Sequence, residues 1–383
     1  MKVIMLLGRS TGGIGTHVAQ LSADLRERGV DVIVVTHPLT AEHFDLAPVA
    51  LCWPGSAGMV HSLADLRALR RLAATADIVH AHGHQGGLLA TLATLPSHGM
   101  PGVGRRPKPQ GPKLIVSQHN AVLDGSRWQV LKRLSQRWVA RHADLVTGAS
   151  SDLVKEALTF GASRAELAEV PSPRVPQLLG QQPADAAARV RIRQGMFSSL
   201  GLDVTDGAAP LVLTICRIAP QKNLPVLLQA ASRLRQACTW VVLGEGEPEL
   251  LAQLRIHGRA LGAPVHFLGS SSEVDTWLRG AEVFVLPSQW EARALVVQEA
   301  MAAGTPVVAS DVGGLHELVL GTGLLVPAGD PEAMAKATDS ILADPGLREQ
   351  LAAHGREVAT ALPDGSDTVS RWLAWYSQTL LMT

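Results

Sequence analysis

Two carboxylates, Glu291 and Glu299, stand eight positions apart where the short apolar run 283–286 gives way to a helix-forming stretch. A helix beginning at Ala294 or Leu295 leaves Glu291 in the preceding loop and Glu299 one turn inside. Helical side chains lean back toward the N-terminus, so both carboxylates can face one ligand held at the helix start. That end also offers unbonded backbone N–H groups and the positive end of the helix dipole, which together suit phosphate. Carboxylates for sugar hydroxyls beside amides for phosphate are the chemistry of a nucleotide-sugar site.

Other residues carry chemistry of the same kind. Arg217 and Lys222 follow the strand 211–216, where the next helix begins. Two cations near a helix start suit a diphosphate, and charge-assisted hydrogen bonds contribute about 1.5–3 kcal/mol each; plain solvation is the alternative reading of such a pair. Gly12-Gly13-Ile-Gly15-Thr-His17 follows the first strand and opens a helix near Thr16. Such a turn lets backbone approach a ligand and could serve a dinucleotide. The second strand, however, ends Val35-Thr-His-Pro38 with no acid for a ribose, which argues against NAD. Gly244 and Gly246 form a comparable turn after the strand 240–243. His119 sits at the carboxyl end of a buried strand, where it can meet a ligand or serve as a structural histidine. His80, His82 and His84 follow the strand residues Ala76-Asp-Ile-Val79; one could line a cleft, and a packing or surface role is open for each. Their spacing suggests metal, but no carboxylate or cysteine partner lies nearby in sequence, so no metal site is expected.

The elements that must position these residues alternate along the chain. Short apolar strands read at 2–7, 31–36, 49–53, 78–81, 113–117 and 145–147, then at 211–216, 240–243, 265–268, 283–286, 306–309 and 323–326. Longer amphipathic segments separate them, as in βαβ units with parallel sheets. One helix, at 16–28, buries Val18, Leu21 and Leu25 and stops at Gly29. Residues 172–209 break the rhythm with Pro171-Ser-Pro-Arg-Val-Pro and a Gly/Gln/Ala stretch, and read as loop and linker. Two open α/β domains are therefore expected, with a ligand cleft between the carboxyl ends of their strands.

The 383 residues are enough for two such domains. Apolar content of 46% with 18% charged residues implies a packed globular protein. The formal net charge of zero advertises no nucleic-acid partner. The cysteines Cys52, Cys216 and Cys238 fit no metal spacing and read as buried thiols of a reducing cytoplasm. The first strand is too short and lacks the cleavage site of a signal peptide, and no run approaches the ~18 apolar residues of a spanning helix. One region departs from neutrality: 101–142 holds nine Lys or Arg against one Asp. There Trp128, Leu131, Leu134 and Trp138 can share a helical face ringed by Arg127, Lys132, Arg133, Arg137 and Arg141. This is either a solvated helix packed on its sheet or a surface for an anionic membrane or acceptor, which leaves a peripheral location at the inner face of the cell membrane open.

Taken in order, the Glu291…Glu299 block, Leu286-Pro-Ser288 before it, Gly304-Thr-Pro-Val-Val-Ala-Ser-Asp-Val-Gly-Gly-Leu-His-Glu317 after it, and Arg217…Lys222-Asn223 resemble the retaining glycosyltransferases of family 4. The likeness covers nearly the whole chain. It implies the GT-B fold, two Rossmann-like domains with parallel sheets facing across a cleft. The expected domains are 1–180 on the acceptor side, joined by a returning C-terminal helix at 365–383, and 200–364 for the nucleotide sugar. The implied activity is transfer of a hexose from a nucleoside diphosphate sugar, UDP- or GDP-linked, to a hydroxyl of a small-molecule, glycan or lipid-linked acceptor. No metal or other cofactor is implied. In these roles Glu299 takes the ribose, and Glu291 takes a hydroxyl of the donor sugar. Arg217 and Lys222, with amides of Arg293, Ala294, Leu295 and Val296, take the leaving diphosphate. Gly244 and Gly246 lie near the nucleoside, Phe267-Leu-Gly269 near the base, Gly13 faces the donor, and His119 lies beside the transferred sugar. Departures fall at Ala292 and Ala294, at Cys216 and at 171–176. They leave a second expectation open, an altered GT-B protein that binds a nucleotide sugar without normal transfer.

Overall fold

The computed structural model describes residues 1–10, 12–46, 48–50, 59–95, 111–121, 129–200 and 209–382. The chain divides into two compact units, Met1–Val170 with Pro363–Thr383, and Pro171–Leu362.

The first unit holds seven parallel strands: β1 (Lys2–Leu7), β2 (Asp31–Thr36), β3 (Pro48–Ala50), β4 (Ile78–His82), β5 (Lys113–Gln118), β6 (Leu145–Gly148) and β7 (Ala165–Leu167). Their order across the sheet is β3-β2-β1-β4-β5-β6-β7. After Lys2, the run Val-Ile-Met-Leu-Leu of β1 is apolar and buried because both faces of a parallel sheet are covered. Ile4 and Leu6 join one core cluster, Val3, Met5 and Leu7 the other, as a period of two requires. Helix Gly13–Glu27 and the last helix, Gly365–Leu381, pack on the second face through Val18, Leu21, Leu25, Val369, Trp372 and Tyr376. The last helix opens with a reciprocal cap between Asp364 and Asp367.

The second unit repeats the plan with β8 (Leu211–Ile215), β9 (Thr239–Leu243), β10 (Val265–Gly269), β11 (Val283–Leu286), β12 (Val307–Ser310) and β13 (Gly323–Val326), ordered β10-β9-β8-β11-β12-β13. In both sheets the order reverses between the unit's first and fourth strands, β1 and β4 in one, β8 and β11 in the other. The carboxyl ends beside such a reversal are where open α/β sheets hold ligands.

Three expectations need correction. The first helix begins at Gly13, a turn earlier than the Gly-rich sequence suggests, because Gly12 already supplies the carbonyl accepting from Gly15 and Thr16. Much of 172–209 is helical: Val175–Leu179 and Ala186–Ser199. Asp185 caps the second of these through the Ala188 amide at 2.7 Å. Its Arg193 is buried against Glu282 at 2.6 Å, and Glu282 also accepts from the Leu211 amide at 2.7 Å. Met196, Phe197, Val175 and Leu178 all enter the second unit's core, so 171–199 belong to that unit. The strand β7 was not read from the sequence; its three half-buried residues, Ala-Glu-Leu, carry no alternating pattern.

The basic segment is a helix over Gln129–His142. Trp138 and Val139 pack on the core, whereas Val130, Leu131 and Leu134 are exposed, so the four apolar residues do not share one packed stripe. Of the Pro/Gly-rich basic loop that the sequence suggests at 97–113, residues up to 110 lie outside the described residues, as do Arg127, Trp128 and Cys52. Among those described, no helix is long and apolar enough to cross a membrane.

Candidate functional site

Most residues singled out from the sequence lie in the loops and helix starts that follow a strand, and each unit gathers its own set. His80 and His82 fall inside β4 itself, where the sequence suggested they follow it, because the strand runs on to His82. In the second unit, the segment after β8 is clamped alongside the segment after β9. Cys216 donates its amide to Leu243 at 3.0 Å, and Ile218 donates to Glu245 at 2.8 Å. A Cβ on Gly244 would strike the Cys216 carbonyl, and one on Gly246 the Ile218 carbonyl; Gly244 also adopts φ +138°. These glycines therefore have a reason in the chain itself: they let the loop bearing Arg217 lie flat against the neighbouring turn. Arg217 is exposed. Cys216 is buried, and burial pushes its thiol up to about 12, an unreactive state.

After Arg217 the chain makes a 3₁₀ turn at Pro220–Lys222, and Asn223 takes a left-handed conformation, φ 52°, to open helix Leu224–Ala231. Asn tolerates this region better than most residues. The turn is tied to the loop after β11: Gln221 donates its side-chain amide to the Trp290 carbonyl at 2.7 Å and accepts from the Gln289 amide at 2.8 Å. Across this tie Lys222 Nζ donates to Glu291 Oε1. Ser288 Oγ donates to the same oxygen at 2.6 Å. The Gly314 amide fixes the Glu291 backbone carbonyl at 2.9 Å. An ammonium–carboxylate pair thus spans the reversal between β8 and β11, with the Lys222 side chain only 17% exposed.

Helix Leu295–Ala303 starts where the sequence suggests, with Ala294 as its cap residue. The Leu295 and Val296 amides lie in the first turn, which has no intrahelical acceptors. Ala292 and Ala294 are buried and Arg293 is half-buried. Glu299, one turn in, is buried. Its Oε1 accepts from Ser172 Oγ at 2.6 Å, and Ser172 accepts in turn from the Arg174 amide at 3.2 Å. Burial raises the Glu299 carboxyl above its ordinary range, against the opposing pull of Ser172 and Arg174. Sequence reasoning missed Ser172, Gln221 and Ser288. The signals were the unusual 171–176 stretch, where Ser172 lies, and the Leu286-Pro-Ser288 run, quoted for the resemblance without a role for its serine; Gln221 had none.

The first unit's set is made of imidazoles. Gly13 is the first residue of its helix, and His17, one turn further, is buried. Its ring meets those of His82 and His119 edge-on at 5.9 and 5.8 Å. His82 Nδ1 lies 3.2 Å from His119 Nε2, and the two rings stack. His80 is fully buried: Nδ1 bonds the Tyr376 hydroxyl at 2.8 Å and Nε2 the Ser117 hydroxyl at 2.7 Å, which reaches Thr147 at 2.8 Å. His84 stands apart, bonding Ser135 at 3.1 Å. Burial keeps all four clustered histidines neutral, His17 at about 4, His119 at about 3, and His80 and His82 well below their usual value. Among the described residues, no three His, Cys, Asp or Glu are placed to hold a metal ion.

Comparison with known proteins places the chain in a family. Residues 12–173 match the family described as Glycosyl transferase 4-like domain, and residues 204–358 match Glycosyl transferases group 1. The chain is 30% identical to alpha-maltose-1-phosphate synthase of Mycolicibacterium smegmatis over 90% of both chains. The chain belongs to the family 4 glycosyltransferases. Another relative, a D-inositol 3-phosphate glycosyltransferase of Xylanimonas cellulosilytica, is 38% identical over 182 residues, 45% of this chain and 42% of that protein. In fold, this glycosyltransferase matches Anabaena Alr3699/HepE in complex with UDP and glucose, with a TM-score of 0.80 at 17% identity over 99% of this chain and all of the other. Its fold is accordingly GT-B.

Proposed function

We propose that this glycosyltransferase moves a hexose from a UDP- or GDP-sugar to an acceptor hydroxyl with retention of anomeric configuration, using no metal ion or other cofactor. The observation that carries the reading is the Lys222–Glu291 pair, held at the β8/β11 reversal beside the first turn of the 295–303 helix. Glu299 accepts the ribose hydroxyls, steadied by Ser172. Glu291 accepts a hydroxyl of the transferred sugar while Ser288 and Lys222 hold its other side. Arg217, Lys222 and the amides near Leu295 and Val296 neutralise the departing diphosphate, a preorganised electrostatic role. As the bond from the anomeric carbon to the phosphate oxygen breaks, its electron pair leaves with the diphosphate. The acceptor oxygen bonds to that carbon on the same face, and its proton passes to the released β-phosphate oxygen. His119 donates to a sugar hydroxyl.

The acceptor class is a phosphorylated polyol or sugar, as the relatives' names suggest, with a glycolipid or polysaccharide as the other option. The exposed Val130, Leu131 and Leu134 beside Lys132, Arg133 and Arg137 suit an anionic membrane face, and a working place at the inner side of the cell membrane. The engagement of Lys222 by Glu291 also favours a second reading, a protein that holds nucleotide sugar without turning it over.

Thermal unfolding with UDP, GDP, ADP and TDP identifies the base; ligand at a hundred times its Kd stabilises by about 2.7 kcal/mol. With the donor so identified, NMR of the product reads the anomeric configuration, and EDTA leaves the rate unchanged. An inverted product overturns the retaining mechanism, and donor binding without transfer supports the second reading.

A further inference from the structure

We propose that His82 is a positioning residue that holds His119 as its Nδ1–H tautomer, so that the first unit presents a neutral N–H donor, and no base, to the sugar. The inference rests on the reading of His119 as a sugar contact and deepens it.

The argument is one of hydrogen-bond accounting. Only one proton can lie between His82 Nδ1 and His119 Nε2, which are 3.2 Å apart. The second nitrogen of His82, Nε2, is buried and has no partner among the described residues. If His119 donated from Nε2, the neutral His82 would carry its proton on Nε2, leaving a buried N–H unsatisfied. If His82 donates from Nδ1, its Nε2 is a bare acceptor, and a buried orphan acceptor is the less costly of the two. The second arrangement puts the His119 proton on Nδ1, the nitrogen turned away from His82.

The surroundings hold this state. His17 meets both rings edge-on, and His80 lies 4.1 Å from the His82 ring while its own nitrogens are taken by Tyr376 and Ser117. No member of the group gains a proton cheaply, since burial holds every one below its usual range, with neighbouring imidazoles adding to it at His80, His82 and His119. A neutral donor suits a sugar hydroxyl beside a centre that develops positive charge, where an imidazolium would repel.

The test reads the proton without any substrate. Two-bond ¹H–¹⁵N spectra of the full-length protein, uniformly ¹⁵N-labelled on histidine, are recorded at pH 7.5, with His119 assigned by its absence in a His119→Asn variant. Expected is a protonated Nδ1 and an unprotonated Nε2 on His119; a protonated Nε2 in the wild-type protein overturns the proposal. His82→Leu removes the donor and is expected to shift His119 toward the Nε2–H form and to lower kcat ~10–100-fold with the donor KM nearly unchanged. His82→Gln, which can donate from a similar place, is expected to restore the Nδ1–H form. An unaltered tautomer in His82→Leu also overturns the assignment. If the tautomer moves as expected while kcat does not, the positioning role is overturned and the sugar contact at His119 is what has failed. If neither variant folds, the wild-type spectrum alone decides.

Discussion

The two units share one topology and oppose each other in electrostatics. At the β1/β4 reversal the side chains are neutral imidazoles, stacked and buried; at the β8/β11 reversal they are an ammonium and a carboxylate. The same backbone plan thus delivers two kinds of site, and the loops after the strands choose between them. The neutral set suits hydroxyl recognition, and the charged set suits a leaving diphosphate. The cost of burial is met differently as well. The histidines avoid it by staying unprotonated, whereas Lys222 and Glu291 offset it against each other.

Mutations and pH can break or sharpen that contrast. The largest effect is expected from Trp372→Ala, which empties a fully buried ring position tilted against the His80 ring, 4.3 Å between centroids. Loss of about 3–5 kcal/mol of stability follows from the cavity. Hydrogen exchange should place that loss in β1, β4 and β5, with β8 and β11 protected; an equal loss in both sheets would dissolve the contrast. Next, Lys222→Ala should lower kcat ~10²–10³-fold, or about 2.7–4 kcal/mol of transition-state stabilisation, with folding retained by circular dichroism. Near-normal turnover removes Lys222 from the leaving-group role.

Acid separates the units by sign. The clustered histidines have folded-state values below the 6.5 of an unfolded chain, His17 at about 4 and His119 at about 3. Their contribution is complete above pH 6.5 and is lost as pH falls toward those values. Each costs up to about 1.4 kcal/mol per pH unit within that window. Glu299 shifts the other way: its raised carboxyl is most favourable below its ordinary value and loses ground as pH rises through the folded value. Exchange measured from pH 7.5 to 5 should therefore show the first unit weakening first. The smallest effect is expected from Ser172→Ala, about 1 kcal/mol of stability for a lost hydrogen bond and a several-fold weaker grip on nucleoside diphosphate, read by calorimetry.

Much of this was legible in the sequence because it depends on short-range pattern. Continuous apolar runs mark buried parallel strands, and twelve of them are readable by eye. The position of Glu291 before a helix and Glu299 inside it follows from a period of 3.6 and a visible start at Leu295. Glu291 and Glu299 were legible as chemistry-bearing residues on those grounds, whereas Arg217 and Lys222, open to plain solvation, were singled out through the family resemblance of their flanks. Gly244 and Gly246 were also visible, but their reason was not: it lies in the carbonyls of Cys216 and Ile218, which reach them only once β8 and β9 pair. The helices in 172–209 were obscured by proline and glutamine in the sequence. They owe their order to contacts with Glu282 and the second core.

The sequence by itself thus determined the alternation of strands and helices and the residue types at the strand ends, because both are written in local periodicity. Only the tertiary structure decided the pairings. Lys222 meets Glu291 from 69 positions away, Ser172 meets Glu299 from 127, and His82 meets His119 from 37. The first and last of these close because β8 with β11, and β4 with β5, lie side by side as parallel strands, and the second because helix Val175–Leu179 packs on helix Leu295–Ala303; no local pattern encodes which segments will then touch.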